Sequence, residues 1–436
     1  MKALALAALL VLAACTSPQA APTAPSTSSE GTAALPSFAP PSAMPARYLR
    51  TLEYEPSGYS AERAKRNPTS DLLLGDLLFH SPRTLGPRAR SLGISCNSCH
   101  PNGAAHVTFE LAGLSDRPGN VDLSSAFFRG ASDDGIVNFV NIPSLRGCRY
   151  TGPYGHDGRT ASLAEFMQSV VHVEFDGAPL SPEHSAALMR YVLDLDFLPN
   201  QNLDPRNRLR DGASAAAKRG ALLFEAPRTG FGGASCASCH PASTFFRDGQ
   251  VHRLGSAHSP SPYAIDGGYE TPTLLGLAET APYFHDGRFA HVADVVGWFD
   301  VTFSLGLTEA ERSDLGAYVE AIGAVDRPRD DRPLAVQLDQ VFSYVSLLSL
   351  DDQEVCDAAR DEVDALLATA PLAMRARARD ARKSLGALAR SSERTPAAVS
   401  SLREELARLA ADWAGALAPC AESPCSVQSK TTVLFP

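Results

Sequence analysis

The chain has 436 residues, of which 44% are hydrophobic, and a formal net charge of −10. This length allows two or three domains, and this hydrophobic content excludes a chain that is disordered throughout. The acidic balance excludes a nucleic-acid partner, because such a protein needs a basic surface to meet phosphate.

The N-terminus has the features of an export signal. Lys2 precedes an apolar run at residues 3–14 that is too short to span a bilayer as a helix. The run ends in LAAC, which resembles the bacterial lipobox, so we expect residues 1–14 to be a signal peptide and Cys15 to carry lipid. The alternative is an ordinary signal peptide with an incidental cysteine. Thr16 stands where an aspartate would indicate retention at the inner membrane.

Residues 15–46 are rich in Pro, Ser, Ala and Thr and contain few large apolar side chains. Such a segment cannot bury enough surface to order itself, so we expect a flexible, lipidated tether. Together these features predict a periplasmic protein that is lipid-anchored to the outer membrane.

Two C-x-x-C-H motifs follow, within GISCNSCHPNGAAH and GGASCASCHPASTFF. Their residues are Cys96, Cys99, His100, Cys236, Cys239 and His240. In an exported chain this spacing predicts covalent haem c, because two thiols add to the haem vinyl groups and the adjacent histidine becomes the proximal iron ligand. A zinc site would need pairs about 15–20 residues apart, and a redox dithiol a thioredoxin-like setting.

The two halves of the chain repeat one plan. NIPSLRGCRYTGPYGHDGRTASLAEFM at 141–167 aligns with ETPTLLGLAETAPYFHDGRFAHVADVV at 270–296. Both contain HDGR, and each HDGR precedes an amphipathic helix. The repeat predicts a duplicated helical haem domain with few strands.

The C-terminal segment, residues 327–436, has apolar residues at helical spacing in three stretches, with Pro371 and Pro396 between helices. We expect three or four helices that form a small bundle against the haem domains. It is interpreted as a stabilising cap, with a partner-docking module as the alternative.

The motifs SCNSCH, NIPSL, PYGHDGR, SCASCH, TPTLLG and TAPYFHDGR, in this order, resemble those of the bacterial diheme cytochrome c peroxidases and the related methylamine-utilisation diheme oxidase. The resemblance covers roughly residues 70–325. It implies two tandem cytochrome c-like haem domains, at 47–210 and 211–326, and with the C-terminal helical bundle, which lies outside the resemblance, the expected fold class is mainly α. It also implies that the N-terminal haem is the peroxide-reactive one.

The resemblance assigns roles around the first haem. Family members place a glutamate beside the reactive iron, and Glu174 fits this position, with His172 and Asp176 as rivals. His156 occupies the place of a tryptophan that the family has between the haems, and Tyr154 is the nearest aromatic substitute.

Two further kinds of residue follow from the resemblance. Each HDGR motif is interpreted as a structural Asp-Gly turn whose arginine, Arg159 or Arg288, binds a haem propionate bidentately, and a functional role of His156 or His285 is the alternative. The family also binds calcium between its domains, and Asn141 and Thr271 are the candidate ligands for Ca²⁺.

The second haem departs from the family pattern. Phe299 occupies the place of the usual methionine or tyrosine ligand and cannot bind iron. The replacement could be a tyrosine, an open site, or one of four histidines, namely His252, His258, His285 and His291. His106 is too close to the first motif to cross to the distal face, which predicts an open first haem.

Four cysteines remain outside these motifs, namely Cys148, Cys356, Cys420 and Cys425. Sequence does not choose among their three pairings, although we favour Cys356 with Cys420 or Cys425.

The sequence thus predicts a diheme c-type oxidoreductase that reacts with hydrogen peroxide at the N-terminal haem while the second haem relays electrons. The expected partner is a small periplasmic donor, either a c-type cytochrome or a cupredoxin, or a protein substrate. The alternatives are a peroxide-dependent oxidase that modifies a protein or another substrate, and a diheme electron carrier without catalysis.

Overall fold

The structure, a computed structural model, describes residues 70–129, 137–253, 268–326, 334–391 and 394–417. The predicted signal peptide, the tether with Cys15, and the cysteines Cys420 and Cys425 lie outside the described residues, as does His258. In the part that is described, no helix combines the length and apolar character needed to cross a membrane.

The described residues are mainly helical, as the sequence predicts. The first half contains α1 (Ser70–His80), α2 (Pro87–Ser91), α3 (Cys96–Cys99), α4 (Ala126–Arg129), α5 (Leu163–Ser169) and α6 (Pro182–Leu193). The second half contains α7 (Ala215–Glu225), α8 (Cys236–Cys239), α9 (Val292–Phe303) and α10 (Glu309–Gly323). The C-terminal segment contains α11 (Leu334–Ser343), α12 (Gln353–Ala368), α13 (Arg375–Arg390) and α14 (Pro396–Leu417).

Each half also has one short antiparallel sheet. In the first half β1 (Asn120–Val121) pairs with β2 (Val140–Asn141). In the second half β3 (Val251–Arg253) pairs with β4 (Gly268–Glu270). The second strand of each sheet leads directly into the NIPSL or TPTLL segment, so the sheets set the direction in which these segments leave.

The duplication is visible in how the long helices pack. In the first half α1 crosses α6, and in the second half α7 crosses α10. A Cβ atom on Gly75 would lie 2.1 Å from the carbonyl oxygen of Ala187, and one on Gly220 would lie 2.0 Å from that of Asp314. Both crossings therefore depend on glycine, because any side chain there would push the two helices apart.

The C-terminal helices share a core with the first half. Leu77 of α1 and Leu188 of α6 belong to the same buried apolar cluster as Phe342, Val363 and Leu406 of the C-terminal segment. This cluster also contains two buried free thiols, Cys148 and Cys356. The proposed pairing of Cys356 stays a prediction, because both candidate partners are outside the described residues.

A buried polar network crosses the same interface. The Asp76 carboxylate, 1% exposed, accepts a hydrogen bond from Gln340 Nε2 at 2.9 Å and lies 3.1 Å from His80 Nδ1. Beside them Arg83 donates two hydrogen bonds to Asp361, at 2.6 and 2.8 Å. The C-terminal bundle is thus joined to α1 by charged groups as well as by apolar side chains.

Two groups at this interface, His80 and Glu362, have raised pKa values. Burial lowers the pKa of His80, but the charge and hydrogen bonds of Asp76, with the charge of Glu362, outweigh it and raise the pKa overall. Burial also raises the pKa of Glu362 to about 7, and Asp361 adds to the rise while His80, Ser81 and Arg83 oppose it. In both groups the folded protein holds its proton more tightly than the unfolded chain does.

We predict that the free energy of unfolding falls as pH rises from 4.5 to about 7. Because the pKa of Glu362 rises on folding from 4.5 to about 7, its stabilising contribution is complete below pH 4.5 and is lost as pH approaches 7. In Glu362→Gln the fall in the free energy of unfolding between these pH values should be smaller, by at most about 3 kcal/mol. Denaturant unfolding of both proteins at several pH values measures this, and equal slopes would contradict it.

Candidate functional site

The two C-x-x-C-H motifs form identical short helices. Each begins at a serine whose side chain accepts a hydrogen bond from the third helical residue, while that residue, also a serine, caps the backbone in return. The sequence S-C-x-S-C-H therefore specifies a single turn with the histidine directly after it. His100 and His240 end these turns with nearly the same backbone angles, φ −124°, ψ 62° and φ −118°, ψ 59°.

Both histidines present the ring nitrogen that a metal needs. His100 Nδ1 lies 2.9 Å from the carbonyl oxygen of Pro143, and His240 Nδ1 lies 2.8 Å from that of Phe246. A carbonyl only accepts, so Nδ1 carries the proton and Nε2 keeps its lone pair for a metal. Burial lowers the pKa of His100 to about 4 and also lowers that of His240, so both rings are neutral near pH 7.

The four cysteines of the motifs are free thiols. Burial raises the pKa of Cys96 and Cys99 to about 12 and that of Cys236 to about 11, and it raises the pKa of Cys239 as well. Dithiol exchange needs thiolates, which these surroundings disfavour. Half-buried thiols one turn apart, beside a histidine with a free Nε2, fit covalent haem c.

The two HDGR loops meet through a reciprocal pair of backbone hydrogen bonds. The N–H of Glu270 donates to the carbonyl of His156 at 2.8 Å, and the N–H of Asn141 donates to the carbonyl of His285 at 2.7 Å. Donors and acceptors are each 129 residues apart, the shift that aligns the two repeats. Each half therefore ends a strand on the HDGR turn of the other half.

A buried arginine that the sequence analysis did not single out reinforces this junction. Arg247 is fully buried, forms an ion pair with Glu270, and donates to the carbonyl of Gly152 at 2.7 Å. Burial raises the pKa of Glu270 to about 7 although the charge of Arg247 lowers it. Arg247 follows the second attachment motif in FFRDG, and nothing in that local sequence indicates a partner in the other half.

His156 lies at the junction as a neutral, fixed ring. Its Nε2 is 2.9 Å from the carbonyl oxygen of Asn141, so this nitrogen donates to the backbone. Burial lowers the pKa of His156, and Arg159 adds to the fall while Asn141, Asp157 and Asp286 oppose it. The ring is therefore positioned by the protein and uncharged at neutral pH.

Tyr154 has a structural setting. Its hydroxyl donates to the carbonyl of Cys148 at 3.2 Å, and the equivalent Tyr283 donates to that of Leu277 at 3.3 Å. The same contact in both halves indicates that this tyrosine closes the loop before HDGR.

A different aromatic ring lies between the HDGR loops. Tyr269 stacks on His285 with the ring centroids 3.9 Å apart and the planes 17° from parallel. Burial, with the charges of Asp286 and Asp157 outweighing that of Arg288, raises the pKa of Tyr269 to about 12. Charges from both loops thus reach its hydroxyl. At the repeat shift of 129 the counterpart of Tyr269 is Val140. This difference between the repeats is the one feature of the sequence that could have pointed to Tyr269.

Glu174 is the buried acid of the first half. It ends a π-helical turn, Val170–Glu174, and is 4% exposed, whereas its rivals His172 and Asp176 are exposed. A π turn changes the angle at which the next side chains leave the helix, and such turns are frequent at functional sites. The turn explains why Glu174 alone of these three candidates points inward.

Arg159 holds this carboxylate. Its Nη2 donates to Glu174 Oε1 at 2.9 Å and its Nη1 donates to Asp157 Oδ1 at 2.9 Å. The guanidinium carbon also lies 5.1 Å from the ring centroid of Phe166. The predicted propionate contact stays a prediction, and in this structure the first HDGR arginine links its own loop to the buried acid.

The second HDGR arginine is paired with an acid of its own loop. Arg288 forms a bidentate ion pair with Asp286, with Nε–Oδ1 at 2.9 Å and Nη2–Oδ2 at 2.6 Å. At the repeat shift, the position of Glu174 is taken by Phe303. The acid–arginine pair therefore distinguishes the first site from the second.

Aromatic rings surround the predicted ligand position of the second site. Phe299 lies 5.0 Å from Trp298 and 5.8 Å from Phe303, measured between ring centroids. Phe284 lies 4.9 Å from Trp298. None of these phenyl and indole rings offers a lone pair to iron, and the sixth ligand of the second haem stays open.

The histidines considered as replacements lie in different surroundings. His252 Nε2 is 2.7 Å from Asp248 Oδ2 and 3.7 Å from Cys239 Sγ, which places it at the attachment edge. His285 stacks on Tyr269, and His291 is an exposed residue at the start of α9.

His106 lies on the attachment side of the first site. Its backbone N–H donates to the carbonyl of Cys99 at 3.0 Å, and its Nδ1 donates to that of Ser98 at 2.7 Å. The ring is tied to the helix that carries the proximal histidine, as the expectation of an open distal face requires.

The calcium site gains no support from the geometry. The Asn141 amide donates to the carbonyl of Pro282 at 2.7 Å, and Thr271 is buried and hydrogen-bonded to Asp248. At the repeat shift of 129 the equivalent of Asn141 is Glu270, and Thr271 follows one residue later. Calcium binding by Asn141 and Thr271 stays a prediction.

Comparisons with curated proteins identify relatives. No protein-family model matches the chain. The methylamine utilization protein MauG of Methylorubrum extorquens is 30% identical over 326 aligned residues, covering 65% of this chain and 85% of MauG. A cytochrome-c peroxidase of Denitromonas iodatirespirans is 24% identical, covering 59% of this chain and 83% of the peroxidase. The gamma subunit of hydrazine synthase from Kuenenia stuttgartiensis is 24% identical, and the chain spans 57% of its length.

Solved structures show more distant likenesses. Hydrazine synthase of Kuenenia stuttgartiensis has a TM-score of 0.43 at 21% identity, covering 69% of this chain and 100% of that one. A MauG-like protein associated with microbial copper homeostasis has a TM-score of 0.42 at 18% identity, covering 59% and 90%. The sequence relationship to MauG is the stronger one, and on it the chain belongs to the diheme peroxidase and MauG-like family of oxidoreductases.

Proposed function

We propose that this chain is a lipid-anchored oxidoreductase of the bacterial periplasm that carries two haem c groups and reacts with hydrogen peroxide at the first C-x-x-C-H site. The second site relays electrons from a small donor protein, either a c-type cytochrome or a cupredoxin. The observation that carries this assignment is the ion pair of the buried Glu174 with Arg159, because Phe303 stands at the equivalent place of Glu174 in the second half.

The two C-x-x-C-H motifs supply the haem-binding residues in this proposal. Cys96, Cys99 and His100 would hold the first haem, and the second would be held by the equivalent residues Cys236, Cys239 and His240. When bound, haem supplies a redox-active iron at each site. The remaining roles belong to side chains of the protein.

Glu174 is the proton carrier in this proposal. Reduction of peroxide to two waters takes two electrons and two protons, and cleavage of the O–O bond is eased when a proton moves from one peroxide oxygen to the other. Glu174 accepts that proton on its carboxylate and returns it to the leaving oxygen. Arg159 keeps the carboxylate in place, and the donor protein supplies the electrons.

His156 has a positioning role. Its neutral ring donates to the carbonyl of Asn141, whose own N–H donates to the second HDGR loop. The ring therefore holds the strand that joins the two sites. The His156 ring thereby helps to keep the two haem-binding halves in a fixed relation.

A second candidate function is the peroxide-dependent oxidation of a protein or another substrate. Two observations favour it, namely Phe299 at the usual ligand position and the attachment of His106 to Ser98 on the proximal side. A second haem without methionine ligation would have a lower reduction potential. A first haem whose distal face is not occupied by a histidine would not have to be reduced before it can bind peroxide.

Optical and EPR spectra of the haem-loaded ferric protein test the proposal. We expect a high-spin haem that changes when peroxide is added. Oxidation of a reduced donor protein at the expense of peroxide supports the peroxidase, and turnover of another substrate without such a donor supports the oxidase. Two low-spin haems that peroxide leaves unchanged, before and after one-electron reduction, would show an electron carrier.

We predict that the two attachment motifs can be emptied one at a time. Cys96→Ala with Cys99→Ala, and separately Cys236→Ala with Cys239→Ala, should each lower the covalently bound haem from two groups to one, because thioether bonds need both thiols. The pyridine haemochrome spectrum measures this, and only the first pair of changes should abolish the reaction with peroxide. A zinc site would be indicated if haem stayed at zero in every form.

We predict that Glu174→Gln slows the reaction with peroxide by about 100-fold or more, since the amide cannot carry the proton. Stopped-flow spectroscopy measures the second-order rate constant. Asp176→Asn is the matched control, because Asp176 is exposed and asparagine tolerates its φ of 57°. Equal rates for Glu174→Gln and the wild type would remove Glu174 from the mechanism.

We predict that a change of Arg159, which holds the Glu174 carboxylate, slows the reaction with peroxide less than Glu174→Gln does. Arg159→Lys keeps the charge but loses the two-pronged link to Glu174 and Asp157, so the same rate constant should fall about tenfold. Arg288→Lys makes the equivalent change in the second half and should leave this rate within about twofold. Thermal unfolding of both variants serves as the control, and similar rate losses in both would point to a purely structural role.

A further inference from the structure

The helix α13 is strongly basic within an acidic chain. Its sequence, RARARDARKSLGALAR, contains six cationic residues and one acid, although the whole chain has a net charge of −10. The cationic residues are Arg375, Arg377, Arg379, Arg382, Lys383 and Arg390. Nothing in the proposed oxidoreductase chemistry uses this helix, which lies outside the repeat.

The charges are gathered on one exposed face. Ala378, Ala381, Leu385 and Ala389 are buried against the bundle. Arg375, Arg379 and Lys383 follow one another at intervals of four residues and are exposed, as are Arg382 and Arg390. We call these five residues the basic stripe. At 1.5 Å per residue it extends over about 20 Å of helix.

Ion pairs neutralise only part of the basic stripe. Arg382 pairs with Asp364, and Lys383 lies 3.8 Å from Asp380. Among the described residues Arg375 and Arg379 have no ion-pair partner. Two adjacent, exposed, uncompensated arginines would normally repel each other, so an external anion would stabilise them.

An exposed apolar side chain lies next to these arginines. Leu372, three residues before α13, is 79% exposed. The short helical turn Leu372–Met374 leads directly into Arg375. Leucine gains nothing from a soluble polyanion, whereas a lipid surface accepts both an apolar side chain and arginines, in the interface and on the phosphates.

We propose that Leu372 and the basic stripe bind the surface of a membrane that contains anionic phospholipid. The arginines contact headgroup phosphates, and Leu372 enters the interface. This contact would act together with any acyl chain at Cys15, because stable membrane association usually takes two such signals. It would hold the bundle face of the protein, and with it the first half, towards the membrane.

Sedimentation with vesicles tests the proposal on the haem-loaded full chain carrying Cys15→Ser, which cannot be acylated. We expect binding to phosphatidylcholine vesicles with about 30 mol% phosphatidylglycerol, weaker binding without it, and weakening as salt rises. Arg375→Gln with Arg379→Gln should lower the partition coefficient about 30-fold, at about fivefold per arginine. Leu372→Ser should lower it as well.

Matched controls isolate the face. Arg190→Gln with Arg206→Gln removes two exposed charges elsewhere, and Leu222→Ser removes another exposed leucine, which is 74% exposed. Binding that these controls reduce as much as the stripe variants would overturn the proposal, as would vesicle binding that does not depend on phosphatidylglycerol. Binding to soluble polyglutamate but not to vesicles would also overturn it and indicate an acidic protein partner. The peroxide rate constant is a separate readout that none of these changes should alter.

Discussion

Two backbone hydrogen bonds, from Glu270 to the carbonyl of His156 and from Asn141 to that of His285, set the relation between the two haem sites. Both are backbone contacts that depend on the shape of the HDGR turns, and the His156 ring adds a side-chain hydrogen bond to the carbonyl of Asn141. Gly158 allows the approach, since a Cβ atom there would lie 3.1 Å from Val251 of the other half.

On this symmetric frame the two sites differ in their side chains. The first half has the buried Glu174 with its arginine, and the second half has Phe303 and a group of aromatic rings around Phe299. A carboxylate that can carry a proton suits bond breaking, whereas an apolar surround suits a metal that only exchanges electrons. The duplication thus supplies one geometry twice, with a few side chains that differ between its copies.

Local spacing explains what could be predicted from sequence. The C-x-x-C-H motifs, the repeat and the helical C-terminal segment depend on neighbours within a few residues, so their patterns are visible in the chain. Glu174 could be chosen over His172 and Asp176 only from the structure. The extra residue in the π-helical turn sets which of these side chains points inward. Arg247 and Tyr269 were missed because their partners are distant in sequence. The contact of Arg159 with Glu174 was missed for the same reason, since the two residues are fifteen positions apart.

The C-terminal bundle is better understood as part of the first half than as an added module. Asp76 of α1 is a buried carboxylate that takes one of its hydrogen bonds from Gln340 of the bundle, and Arg83 pairs with Asp361 of the same bundle. Without the bundle Asp76 would lose that hydrogen-bond partner, and the apolar face of α1 would be exposed to water. The free-energy cost of these two changes is larger than expected for a module that docks only loosely. The half that contains Glu174 is thereby held by the helices of the bundle as well as by its own. A site that must hold a carboxylate at a fixed position beside a metal gains from such constraint, while a site that only relays electrons needs less of it.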